Sequence, residues 1–476
     1  MKLNWKKFDW MLLPALAATV LAFVHPGDTV WLGDEGALMA LAINANDAGV
    51  PASFGLLGSV GVAYGALAVW LNQILLLFTA DVIAIMAIRA GVCVLAAWGA
   101  LWRLSRILHI PLGPGASFFF CSPFVWFYLR MPWDNVLLLP LSLWYAVFLA
   151  EYLREGKFRV AAGALIFLAV MFYLHPLSGV ILLGFAVGVL CFRRAELRRD
   201  WTKFALTGAC ILLGLSPWLA TFFRDYNPDL YSRPRGMVQP LLGTLTSFQN
   251  LTGWGFADHF APEAGLTVPG TLLLLSVPVI LFFVLLGGVV VVRRFRNREA
   301  NTFDRLAGCA AATICLYILL FPLLRLNPQP HYNSIVLFAW LLLAWRGFTV
   351  LRGDYRTLAT ALLGFACLVE VVFLSDFSAG VHRFSGTSSP YFRTTLARQW
   401  AVARNLVAAK RMNPDFRVRV EVDYLNRQSL PLRVLTALAE RTELPGFYFF
   451  NRAVLLPSRS GYGIDLIFLK QAVEQQ

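Results

Sequence analysis

The stretch YGALAVWLNQILLLF, residues 64–78, decides how the rest of the chain is laid out. It is apolar enough for lipid but short of the roughly 20 residues that cross a bilayer, and Asn72-Gln73 interrupts it. Counting it as a crossing would invert every later loop and put the arginine clusters outside, against the positive-inside bias. It is read instead as a helix lying in the outer interface.

Working outward, the chain is too greasy for a soluble domain. Of its 476 residues 58% are hydrophobic and 14% charged, where soluble domains carry about 25% charged. Apolar runs recur near 8–24, 82–102, 114–129, 136–153, 160–174, 177–192, 204–222, 268–292, 305–323, 332–350 and 357–374. Backbone groups in lipid must bond internally, so these runs predict about eleven transmembrane helices, a polytopic α-helical membrane protein. No secretory cleavage pattern follows the first run, which is read as a retained helix.

Short basic connections fall at Lys2/Lys6/Lys7, Arg103/Arg106, Arg154/Lys157/Arg159, Arg193–Lys203, Arg293–Arg298 and Arg352/Arg356. All are placed in the cytoplasm, with the N-terminus inside and the C-terminus outside. The net charge of +14 thereby reports orientation rather than nucleic-acid binding. All seven cysteines fall inside predicted spans, which supports neither a disulfide framework nor a zinc site built on cysteine. Two domains are expected: residues 1–374 in the membrane, and 375–476 as a small extracytoplasmic α/β domain. In the latter, Thr394 to Lys410 reads as an amphipathic helix, and 417–422 and 463–469 read as strands.

Polar chemistry has few places to enter. The most prominent is Gly33-Asp34-Glu35-Gly36, an acidic pair just beyond the first span and ahead of a weakly amphipathic stretch, Ala37 to Asp47. Asp34 reads either as a helix N-cap or as a group that handles a proton or holds a cation. Asp134, beside Trp133 in a short outer loop, is a second acid that reads as a loop cap or as a group that orients an acceptor or completes a cation site. Asp34, Glu35 and Asp134 together carry the oxygens for a divalent ion such as Mg or Mn. No Walker-type phosphate loop or Rossmann fingerprint is present.

The ordered set of Gly33-Asp34-Glu35-Gly36, Ala63-Tyr64-Gly65-Ala66-Leu67, Ala87-Ile88-Arg89, Leu129-Arg130-Met131-Pro132-Trp133-Asp134-Asn135 and Pro330-His331-Tyr332 resembles the GT-C glycosyltransferase superfamily. It is most similar to its protein O-mannosyltransferase and aminoarabinose-transferase-like branch, over roughly residues 8–350. Members usually show Pro where Ala66 stands and often Arg where His331 stands. The resemblance implies an inverting enzyme of the bacterial inner membrane that moves a sugar from a polyprenyl-phosphate donor to a lipid, glycan or protein acceptor at the outer face. Asp34 would be the general base, with Glu35 and Asp134 in support. Arg89, Arg130, Arg325 and His331 are the candidates for the lipid phosphate, with snorkelling to headgroups as the plain alternative for the arginines. Tyr64, His175 and Tyr332 are candidates for contact with substrate. A flippase of lipid-linked saccharide, or a polysaccharide polymerase or ligase, would suit the same layout. Against the flippase, no internal repeat is visible and ionisable groups within spans are few.

Overall fold

The computed structural model describes residues 9–58, 62–131, 133–227, 236–254, 267–326, 328–387, 389, 392, 394–413, 419–420, 429–443 and 467–468. Each of the eleven predicted spans is helical. Six helices are long and apolar enough to cross a membrane: α4 (Val82–Leu108), α7 (Leu138–Glu155, with a short 3-10 turn ahead of it), α11 (Trp201–Asp225), α13 (Val268–Arg296), α14 (Thr302–Leu323) and α16 (Gly353–Phe384). Shorter apolar helices take four more positions: α1 (Leu12–Leu21), α8 (Phe158–Leu174), α9 (Gly179–Phe192) and α15 (Leu337–Val350). The chain is a multi-pass membrane protein.

The span expected at 114–129 is not one rod. It is α5 (Leu112–Phe120) and α6 (Pro123–Arg130), bent by 68°. Pro123 has no N–H to continue the ladder, and the Ser122 hydroxyl caps the second half by accepting from the Val125 N–H at 3.3 Å. Elsewhere helix starts follow ordinary capping. The Asp81 carboxylate accepts from the N–H groups of Ile83 and Ala84 at 2.8 and 3.2 Å and so opens α4. Asn301 and Asp304 form a reciprocal capping box at α14. Within the bundle, α13 and α15 approach most closely at Gly287 and Gly347. A Cβ on either would lie 2.0 Å from the carbonyl oxygen of Leu343 or of Phe283. Small residues permit this contact between apolar helices, where dispersion rather than hydrophobic burial drives association.

Side-chain contacts sort the loops into two ends. At one end, Arg103 pairs with Glu151, Arg193 donates to the Leu153 carbonyl, and Arg199 donates to the Gly156 carbonyl at 3.3 Å. There the Asp9 carboxylate also accepts from the Gly113 N–H at 2.6 Å. These are the connections predicted to be cytoplasmic. At the other end, His25 and Asp28 meet His382, Arg89 meets Asn72, and Gly65 N–H reaches the Tyr173 carbonyl at 2.8 Å. Because α1 runs from the first end to the second and α4 runs back, everything between Asp28 and Asp81 begins and ends on one side. The deciding stretch forms only α3 (Leu67–Leu76), packed against α2 (Gly33–Asp47) at that end. Gln73 is spent on this packing, accepting from the Ala52 N–H at 2.9 Å and donating to Asn46 Oδ1 at 2.9 Å. It is an interfacial helix rather than a crossing.

The C-terminal expectation needs correction. The boundary after Leu374 falls inside α16, which continues unbroken to Phe384. Beyond it the described residues are mainly two helices, α17 (Leu396–Met412) and α18 (Ser429–Glu443). The expected strands contribute a two-residue parallel pair, Arg419–Val420 with Ile467–Phe468. Among the described residues this does not make a separate α/β domain, and most of 417–422 and 463–469 lies outside them. Trp400, Val434, Leu435 and Leu438 instead share one apolar cluster with Trp31, Met39 and Ile43 of the first loop and Val82 and Ile85 of α4. Among the described residues α17 packs chiefly on α18, and α18 lies on α2, so their apolar cluster is shared with the first outer loop.

Candidate functional site

Helix α2 holds its acidic pair at the end of the bundle opposite the basic connections, with opposite exposures: Asp34 is exposed, while Glu35 is fully buried. The Glu35 carboxylate accepts from the Leu32 N–H at 2.7 Å, the reciprocal half of a capping box. Its other oxygen has no hydrogen-bond partner among the described residues. Burial, and then the neighbouring Asp34 charge, push the Glu35 carboxyl up to about 8. The Trp133 indole beside it favours the ionised form, although its N–H completes no hydrogen bond.

Asp134 arrives from the short turn after α6. One oxygen accepts from the Asn135 N–H at 2.8 Å and the other is unpartnered. Burial and Asp34 raise it to about 7, against the pull of the Asn135 N–H and of Arg89. Arg89 enters from α4, buried, donating to Asn72 Oδ1 at 2.5 Å and to the Trp133 carbonyl at 3.4 Å. In the sequence Asn72 stands out only as an interruption of an apolar run. In the fold it is the polar partner that makes a buried guanidinium tolerable there.

Aromatic rings close the other side. Trp133 meets His331 edge-on at 5.3 Å, and His331 meets Tyr332 at 4.3 Å. His175 lies between Tyr332, at 5.4 Å, and Tyr64, at 4.9 Å. It is buried, neither ring nitrogen has a partner among the described residues, and burial lowers its pKa to about 3. A neutral imidazole with unsatisfied nitrogens is equipped to bond a hydroxyl-rich ligand. The structure thus gathers Asp34, Glu35, Tyr64, Arg89, Asp134, His175, His331 and Tyr332 at one end of the bundle.

Two sequence candidates lie elsewhere. Arg130 donates to the His25 carbonyl at 2.7 Å and stacks over Trp126 at 4.3 Å, beside a second polar group made of His25, Asp28 and His382. Nothing in the sequence marks that group, in which Asp28 and His382 stand 354 residues apart and each member is unremarkable singly. Arg325 is exposed at the left-handed end of α14, with φ 51°, and no described contact ties it to the carboxyl cluster. In the outer loop after α11, Asp258 and His259 lie outside the described residues, and Trp254 packs against the main core. A cavity of about 370 Å³ is lined by Thr267, Asp376, Arg383 and Thr387 near the end of α16, away from the carboxyls.

The oxygens expected for a metal at Asp34, Glu35 and Asp134 are partly committed elsewhere. Glu35 and Asp134 each keep one unpartnered oxygen, but each spends the other on a backbone N–H. Among the described residues, the three-residue group with donor atoms close enough to share an ion is the His25, Asp28 and His382 set.

No protein-family model matches the chain, and no curated protein matches it in sequence. In structure it matches ArnT from Cupriavidus metallidurans, a crystal structure bound to undecaprenyl phosphate. The TM-score is 0.52 at 12% identity, over 91% of this chain and 88% of that one. The chain has a GT-C-like fold.

Proposed function

We propose that the chain is a membrane glycosyltransferase that takes a sugar from a polyprenyl-phosphate carrier at the extracytoplasmic face of a bacterial inner membrane and passes it, with inversion, to an acceptor hydroxyl or amine. The observation that carries this reading is an exposed carboxylate, Asp34, set beside two buried carboxyls and a buried arginine at the end of a GT-C-like bundle opposite the basic connections. The undecaprenyl phosphate of the structurally similar ArnT supports a carrier of that class.

The environments divide the roles. Near neutral pH Glu35, raised to about 8, favours its neutral form and Asp134, raised to about 7, is poised between forms, while exposed Asp34 is assigned as the base. The acceptor oxygen or nitrogen attacks the anomeric carbon while the bond to the phosphate oxygen breaks, and the acceptor proton passes to Asp34. The carrier leaves as polyprenyl phosphate. Arg89, oriented by Asn72, stabilises that phosphate through a planar fork suited to its oxygens. Neutral Glu35 turns an O–H towards the sugar or acceptor, Asp134 donates or accepts a hydrogen bond beside it, and His175 with Tyr64 and Tyr332 lines the sugar side. No step here requires a metal.

The test is purified protein in detergent with a synthetic polyprenyl-phosphate sugar and candidate acceptors. Free polyprenyl phosphate should appear only when acceptor is present. Transfer of the intact lipid-linked sugar across vesicles with no bond broken would replace this reading with a flippase.

A further inference from the structure

We propose that His25, Asp28 and His382 form a binding site for a transition-metal dication of the zinc class, clasping the outer end of α1 to the outer end of α16. One donor atom from each of the three lies within 4.8 Å of the others. Two imidazoles and a carboxylate, with both histidines exposed, are a donor set that zinc accepts while leaving a fourth position for water. Hard ions such as magnesium prefer all-oxygen sites, so the chemistry selects against them.

The arrangement is built rather than accidental. His25 sits in the left-handed region at φ 52°, which few residues other than glycine adopt and where histidine is among the enriched exceptions. Its carbonyl accepts from the Asp28 N–H at 2.9 Å and from Arg130 at 2.7 Å, which pins the turn. The pinned turn lays the His25 ring over the His382 ring, with centroids 3.6 Å apart and planes within 14°. Asp28 is buried, and its carboxylate meets His382 Nδ1 at 2.8 Å. Around a tetrahedral ion with bonds of about 2.0–2.1 Å, donors stand about 3.3 Å apart. The donors, up to 4.8 Å apart, must close by about 1.5 Å, and both exposed rings must tilt out of their stack to aim in-plane lone pairs at one ion. Arg130 aims at a carbonyl and at the Trp126 ring, which leaves Asp28 its ion-pair partner in His382.

A clasp here would join stretches 354 residues apart and hold the ends of the first and last long helices together beside the outer loops. It does not depend on the glycosyltransferase reading. The test uses the full chain in detergent, treated with chelator and titrated with Co²⁺, whose visible bands report tetrahedral coordination. One equivalent with tetrahedral bands, displaced by Zn²⁺ and lost in both His25→Ala and His382→Ala, is the expected result. Glu35→Gln should keep the bands, which separates this site from the carboxyl cluster. Should either alanine variant misfold, His382→Cys supplies a thiolate at the same position and should show a sulfur-to-cobalt charge-transfer band. Absence of stoichiometric uptake, or bands that persist in His382→Ala, overturns the site and leaves a simple His–Asp ion pair.

Discussion

Replacing Glu35 with Gln tests the division of roles among the three carboxyls. Burial raises the Glu35 carboxyl from 4.5 to about 8. At about 1.36 kcal/mol for each tenfold of acidity, the fold prefers the neutral form by about 5 kcal/mol. A carboxyl raised on folding contributes stability that is complete below its unfolded value and is lost as pH climbs to the folded one. The window is therefore 4.5 to about 8. At pH 7 the unfolded chain would hold this group ionised while the fold keeps it mostly neutral, a loss of about 3 kcal/mol. The amide of Glu35→Gln stays neutral throughout and still offers an oxygen to the Leu32 N–H, from which Glu35 accepts at 2.7 Å. Thermal melts in detergent from about pH 4.5 to 9 should show the wild type falling away from Glu35→Gln as pH rises. Transfer activity should carry an alkaline limb near pH 8 in the wild type and lose that limb in the variant. Parallel melting curves, with an alkaline limb in the same place, would refute both the buried neutral carboxyl and its part in the site.

Asp34→Asn should lower transfer by about 10²–10⁴-fold while leaving donor binding near wild type, as removal of a general base does; full activity removes Asp34 from that role. Arg89→Lys keeps the charge but loses the fork and its fit to Asn72, so donor affinity, read from product-release kinetics, should fall by about tenfold to a hundredfold. Gly287→Ala puts a Cβ 2.0 Å from the Leu343 carbonyl, whereas Gly288→Ala meets nothing within 4 Å. The first should cost about 1–3 kcal/mol in a detergent unfolding assay and the second should be neutral or mildly stabilising. Reporters fused after Gln476 and inserted after Gly49 should give the same extracytoplasmic answer, and opposite answers would break the reading of α3.

The membrane part is legible in sequence because lipid leaves the backbone few options. Once a run is apolar and long it must be helical, and every predicted span is. Charge bias then sorts the loops, and the contacts of Arg103, Arg193 and Arg199 at the end opposite Arg89 follow that sorting. The acidic pair stands out because it breaks an apolar background. Pairings across the chain are another matter. Nothing local to Asn72 shows that it orients Arg89, nor does anything near residue 382 point back to Asp28. Those contacts come from how helices pack, which a single sequence does not encode at any one position. The 68° break at Ser122-Pro123 has a local signal, a capping serine followed by proline, masked by the hydrophobicity on either side.

The same limit explains the C-terminal segment, whose rise in charge after Leu374 suggests a detached domain. Charge content reports how much of a segment meets water and says nothing of what covers its apolar face. In the fold α17 and α18 face each other, and α18 also lies on α2. A Cβ on Gly36 would come within 2.9 Å of Pro431, the Trp31 indole donates to the Pro431 carbonyl at 3.3 Å, and Gln399 donates to the Trp31 carbonyl at 2.9 Å. These contacts fix the turn that holds Glu35, one residue from Gly36, out of water. The shift of Glu35 towards neutrality is caused chiefly by that burial, so the acidity of the pair is not a property of the Gly-Asp-Glu-Gly motif. It belongs to a tertiary arrangement in which the last helices of the chain hold the first outer loop in place.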